Sequence, residues 1–271
     1  MHKYINEIGE IEFSQSNYCV QFIKNDRLKM NEVENQNLFT YHLIKLSFFS
    51  ALKNVLLSIN KTKIEGLIHA ETMSAMELGS SIITPTRLFS RTIVVFAQWE
   101  NEKTFSEFIQ MHSFGKQLSD SWYLKLKFIR QWGSISHFEI PKTPIKMNDE
   151  NQTVVAVTLA RMKYTEIPRF LHWGGPIEKL VRDHSGTTLS LASIRYPNLI
   201  STFSIWKSQK EMTEMVHGHS KIENPKRHSN AMKERNRKDF HFEFTTLRFL
   251  PISEHNSWNG KSAYLPNNKT K

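Results

Sequence analysis

Residues Thr202 to Val216 read TFSIWKSQKEMTEMV, and they restate an earlier stretch, VFAQWENEKTFSEFI, at Val95 to Ile109. Aligned on tryptophan, Phe96 falls on Phe203, Trp99 on Trp206, Lys103 on Lys210 and Glu107 on Glu214. The apolar spacing repeats as well. Phe105, Phe108 and Ile109 stand at i, i+3 and i+4, and so do Met212, Met215 and Val216, which is one face of a helix. Ahead of each helix runs a segment rich in β-branched and aromatic residues, RTIVVFAQW in one case and LISTFSIW in the other. Each stretch therefore reads as strand, polar turn and amphipathic helix.

The similarity extends outward. NLFTYHLIKLSFFSALKNVLLSI (Asn37 to Ile59) and TVVAVTLARMKYTEIPRFLHWGG (Thr153 to Gly175) each read as strand then helix. A β-rich run follows each, IEGLIHAETM and TTLSLASI, and a last strand is predicted at Ser134 to Pro141 and at Phe244 to Pro251. The order β-α-β-β-α-β is that of the ferredoxin-like unit. The fold class expected is α+β: two tandem ferredoxin-like units from a duplicated sequence, forming an intramolecular dimeric α+β barrel. The expected organisation is an N-terminal extension at 1–36, a first unit at 37–141, a linker at 142–152, a second unit at 153–254 and a loose tail at 255–271. Between the two sheets an apolar ligand would find a natural place.

The chain has 271 residues and a net charge of +10, and its single cysteine, Cys19, cannot form an internal disulfide. The N-terminus lacks the apolar run of a secretory signal, and no stretch is apolar for the ~20 residues of a membrane span, so a soluble cytoplasmic protein is expected. The densest basic cluster, Lys221 to Lys238, holds seven Lys or Arg against two Glu. It reads as a solvated loop and helix face, or as a patch steering acidic partners. Nucleic acid is disfavoured as a partner, since no RNP1-like string occurs.

No phosphate loop, GxGxxG, GxSxG, HExxH or CxxC is present, which leaves histidine as the main carrier of chemistry. Of twelve histidines, His217, His219, His228 and His241 concentrate in the second unit. The pair His217 and His219 lacks an evident third metal ligand. His228 opens a predicted short helix and either caps its loop or reaches the hollow of the fold, where a neutral imidazole can ligate haem iron. Arg235 lies about two turns on and could hold a carboxylate. Arg161 closes the first strand of the second unit, facing either solvent or a ligand's acid. Trp99 and Trp206 read as rings covering strand–helix junctions; Phe203, Trp206 and Trp173 are the aromatic candidates for a pocket wall.

The second unit resembles the spheroidene monooxygenase family of carotenoid biosynthesis. The matching words are TFSIW (Thr202 to Trp206), Met212, His228 with Ala231, and Arg248-Phe249; Leu159-Ala160-Arg161, Arg169-Phe170 and Pro176-Ile177 agree more weakly. The chain departs from the family at Asp239 to Phe244, where no Trp and a single Glu occur. The resemblance implies a haem-dependent monooxygenase acting on an apolar small molecule, with His228 as candidate iron ligand or site histidine and an electron donor as a possible partner. The alternative is a non-catalytic small-molecule-binding or stress-associated barrel.

Overall fold

The computed structural model describes residues 37–56, 64–79, 90–140, 149–219 and 226–266. The N-terminal extension at 1–36 and most of the linker lie outside them. Among the described residues there are eight strands: β1 (Leu38–Lys45), β2 (Leu67–Glu77), β3 (Thr92–Trp99), β4 (Trp122–Ser134), β5 (Val154–Met162), β6 (Thr187–Arg195), β7 (Leu199–Trp206) and β8 (His241–His255). Six helices accompany them: α1 (Phe48–Leu56), α2 (Glu102–Met111), α3 (Ser113–Ser119), α4 (Ile167–Asp183), α5 (Gln209–His217) and α6 (Arg227–Arg237). Among the described residues no helix is long and apolar enough to cross a membrane.

The strands close into one antiparallel barrel in the order β1-β3-β2-β6-β7-β5-β8-β4. Cut at the seams β2·β6 and β4·β8, this becomes two ferredoxin-like sheets, β4-β1-β3-β2 and β8-β5-β7-β6. The two tryptophan-ended strands hold like positions. Trp99 pairs with the first residues of β1 and β2, Leu38 and Leu67, as Trp206 does with Val154 and Thr187 at the heads of β5 and β6. The helix starts match too. Asn101 caps α2 by accepting the Thr104 N–H at 3.0 Å, and Ser208 caps α5 by accepting the Glu211 N–H at 3.1 Å. A side-chain oxygen at that position satisfies an amide left orphaned by the first turn.

Strand alternation sends one set of side chains into the barrel. There the ring of Tyr41 stacks on Phe203 at 3.9 Å, and Phe39 lies 5.0 Å from Phe249. All four are at most 1% exposed. Eight tilted strands enclose a space that side chains can just fill, and large rings fill it here. The interior between the sheets, which the sequence reading assigned to a ligand, is a packed aromatic core.

Both mouths are covered. At one, the segment that follows β4 buries its own Ile135 and Phe138 against the barrel core. The strand predicted at Ser134–Pro141 is therefore a plug, and the pairing strand is β4, whose alternating Trp122, Leu124, Leu126 and Phe128 face the core. Gly133 permits the turn into that plug: its φ is +78°, and a Cβ there would collide with the Phe244 carbonyl. At the other mouth, the segment expected to be a loose tail carries Trp258 and Tyr264, both buried. Glu254 accepts from Trp122 Nε1 at 2.8 Å, from the Tyr264 N–H at 2.9 Å and from the Leu265 N–H at 2.8 Å, tying the tail to the barrel through Leu265.

Candidate functional site

The outward faces of the two sheets lie beneath helices, and they differ. In the first unit this face is sealed: Thr40, His42, Thr72, Val95 and Ala97 are each at most 1% exposed beneath α1, α2 and α3. In the second unit the corresponding centre carries Ala156, Thr158, Ser190, Thr202 and Thr246, and all are only partly buried. The registers Ala156↔Ser204↔Ser190 and Thr158↔Thr202↔Ala192 make this floor a patch of small and hydroxyl side chains. The helices above bury it unevenly: Ser204 and Ala192 are covered, the others only partly. In the 17-residue α4, Leu180 is the buried residue, and in α6 it is Ala231. Small residues on the sheet and partly buried helices make this layer less tightly covered than its counterpart in the first unit.

Three of the six residues singled out from sequence lie on α4 and α6, the helices over this face of the second unit. His228 stands in the first turn of α6. Its Nδ1 donates to the Val216 carbonyl at the end of α5 across 3.1 Å. That bond fixes the tautomer and leaves Nε2 as the acceptor. Burial, with a smaller contribution from His217, holds the ring's pKa below its ordinary value, so the imidazole is neutral at neutral pH. Arg235, seven residues on, sits with its guanidinium 3.9 Å from the Phe244 ring and 3.9 Å from the Asp239 carboxylate. Trp173 on α4 packs in the cluster of Met162, Phe170, Phe240 and Phe244. The α6 helix is held to α4 by Arg169, which bonds Glu166 at 2.7 Å and Glu234 at 3.3 Å, and by Lys238 on Glu166. Part of the basic cluster is thus spent on internal ion pairs.

The other three are placed differently. Trp206 is on the helix side, but as a fully buried plug among Val154, Leu180, Met212 and Met215. Its Nε1 donates to Ser204 Oγ at 2.8 Å. Phe203 and Arg161 point to the opposite face of the sheet, away from His228. Phe203 belongs to the barrel core. Arg161 ends an inward-facing series on β5 and meets Glu243 at 2.8 Å and Glu71 at 3.7 Å. Glu71, 1% exposed, also takes Arg195 at 2.7 Å and His69 at 3.0 Å. These groups form a charge-balanced network under the Ile135–Phe138 plug, and Arg161 is committed to it.

His241 joins the layer at its lower end. It is 4% exposed, with Nδ1 held by Asp239 Oδ1 at 3.0 Å and Nε2 buried without a hydrogen-bond partner. Burial lowers its pKa against the opposing pull of Asp239. An imidazole oriented through one nitrogen by a carboxylate, with the other bare, is equipped to hold or pass a proton. The sequence reading named His241 without a role. The signal available was its place two residues after Asp239, at the head of the last strand. His217 and His219 lie with ring centres 6.2 Å apart, and among the described residues no group of three or more His, Cys, Asp or Glu is placed to hold a metal ion.

No protein-family model and no curated protein matches the chain. Solved structures do match. Aldoxime dehydratase in complex with butyraldoxime is similar over 81% of this chain and 80% of its own, at 7% identity and a TM-score of 0.52. A monooxygenase-like protein from Listeria innocua matches over 82% and 97%, at 11% identity and a TM-score of 0.27. A heme-degrading enzyme from Listeria monocytogenes matches over 78% and 99%, at 11% identity and a TM-score of 0.27. What the chain shares with aldoxime dehydratase at this identity is the fold.

Proposed function

We propose that the second unit binds haem in the layer between its helices and its sheet, and that the protein is a monooxygenase-like enzyme acting on an apolar small molecule. The observation that carries this is the state of His228: a neutral, half-buried imidazole, held through Nδ1 by the Val216 carbonyl, with Nε2 left to donate a lone pair. The floor beneath the helices fits a flat ring system, since Ala156, Thr158, Thr202 and Ser190 keep side-chain bulk low. His228 would hold the iron. Trp173, Phe170 and Phe244 offer aromatic walls for an apolar substrate, and His241, set by Asp239, offers a proton site at Nε2. Bound haem iron would supply the oxygen chemistry, with electrons from a donor partner, while the chain supplies ligand, orientation and a dry surface. A carotenoid-type substrate is implied by the spheroidene monooxygenase resemblance of residues 153–250. On the same reading, the two units descend from one duplicated unit.

Absorption spectroscopy tests this directly. Protein produced with haem supplied should carry a Soret band, and His228→Ala should lose it while keeping the thermal unfolding transition of the parent. A parent protein that takes up no haem ends the proposal. The ring-filled barrel favours a second reading, a small-molecule-binding protein without chemistry that uses the same layer. Retained binding of apolar acids without a Soret band selects it.

A further inference from the structure

Arg130 of the first unit and Arg248 of the second, which meet across the β4·β8 seam, differ from the partly buried arginines around them. Arg161, Arg169, Arg182, Arg195 and Arg235 are all partly buried, and each meets a carboxylate. Arg248 is partly buried on β8 and makes no ion pair among the described residues, and neither does its neighbour Arg130. The two are directly opposed in the β4·β8 register, so like charges face each other across the seam. Both guanidiniums lie against one ring, that of Trp132, at 4.8 Å for Arg130 and 4.6 Å for Arg248. Burial first, and then Arg130, lowers the pKa of Arg248 to about 10. Like charges directly opposite in a sheet destabilise it, and desolvating a guanidinium without an acid adds to that cost. An aromatic face offsets only part of this.

The position says what would offset the remainder. Arg248 is aligned with Ala156 and Ser204, in the row of small residues that floors the layer beneath α4, α5 and α6. Trp132, 37% exposed, is aligned with Thr246 and so with Thr158 in the next row. The arginine pair therefore stands at the rim of this floor, at its β4·β8 edge.

We propose that Arg248 and Arg130, braced on Trp132, form a carboxylate-binding site that anchors an acidic group of the molecule occupying this layer. The ligand class is an apolar body bearing a carboxylate. Its source is either the carboxylates of a haem or that of an acidic substrate. A guanidinium receives a carboxylate through two parallel N–H donors, and a second arginine adds charge without competing for the same lone pairs. The placement of this site in the ligand's layer rests on the function proposed above.

The test uses hemin, hemin dimethyl ester, dodecanoate and dodecanol as probes, titrated into parent, Arg248→Gln and Arg130→Gln proteins. Arg130 is exposed, so its variant guards against a folding defect at Arg248. The parent should bind dodecanoate at least about tenfold more tightly than dodecanol, and both variants should narrow that ratio, Arg248→Gln the more. If the variants also weaken hemin and leave its dimethyl ester unchanged, the haem carboxylates are the source. If they weaken only dodecanoate, a substrate acid is. A parent that ignores hemin yet discriminates dodecanoate through Arg248 removes the haem reading and keeps this site. The inference is overturned if the parent binds neither acid, or if both acids bind parent and variants alike.

Discussion

The placement of the ligand layer outside the barrel can be tested by opening the barrel itself. Phe203 is 1% exposed, stacked on Tyr41 at 3.9 Å and edge-on to Trp122 at 6.3 Å. Phe203→Ala removes a ring from the centre of that core. Deleting a buried phenylalanine costs about 3–5 kcal/mol through lost transfer energy and the cavity left behind. For a barrel of this size, each kcal/mol lowers Tm by about 2–4 °C, so the variant should melt about 6–20 °C below the parent. Because Phe203 faces away from the helices, its loss should couple weakly to binding in the layer, and hemin or dodecanoate affinity should stay within about twofold of the parent. Thermal unfolding followed by near-UV circular dichroism, together with ligand titration well below the lowered Tm, reads both quantities. A variant as stable as the parent but unable to bind would refute the reasoning, because Phe203 would then line a ligand pocket instead of filling a core.

Three further outcomes follow from the geometry. His42 is 1% exposed in the first unit's helix face, and burial lowers its pKa to about 3. The unfolded chain binds that proton first, so stability is full above about pH 6.5 and falls as pH drops towards 3, by about 3 kcal/mol at pH 4.5. The parent-minus-His42→Phe difference in urea midpoint should therefore change sharply between pH 7 and 4.5, and a flat difference contradicts the burial. Glu71→Gln withdraws the carboxylate shared by Arg195, Arg161 and His69; it should destabilise by about 3 kcal/mol, and a loss below 1 kcal/mol in denaturant melts counts against the network. Ser208→Ala removes the α5 cap and should cost about 1 kcal/mol, whereas Ser208→Asp should retain most of the stability.

Much of the architecture was legible in the chain. The recurrence of Phe96, Trp99, Lys103 and Glu107 at Phe203, Trp206, Lys210 and Glu214 led directly to two ferredoxin-like units, and Trp99 and Trp206 close equivalent strands. The error at Ser134–Pro141 has a local cause. That segment is apolar enough to pass for a strand, but the alternation that pairs is upstream, in Trp122 to Phe128, where Lys125 and Lys127 break up the apolar run. The tail misled for a similar reason. Its Asn, Ser and Gly read as loose chain, while Tyr264 and Leu265 are held by Glu254, a partner in another element.

The candidate site was half legible. His228, Arg235 and Trp173 share the helical layer of the second unit, whereas Arg161 and Phe203 face the barrel. Sequence alternation shows that residues on a strand belong to two sets. It does not show which set faces the partner sheet and which faces the helices, since that depends on how the strands close. Nor does it show that one helical layer buries its sheet centre fully and the other only partly. Arg130, Trp132 and Arg248 come together through the β4·β8 seam, which joins residues more than a hundred positions apart.

The sequence by itself determined the strand and helix periods and the order of elements in each unit, because these depend on neighbours within a few residues. Only the tertiary structure decided that the barrel is solid and that the second helical layer is the less tightly covered one. Side-chain volume on a given face is a sum over strands brought together by closure, and no local stretch of chain contains that sum.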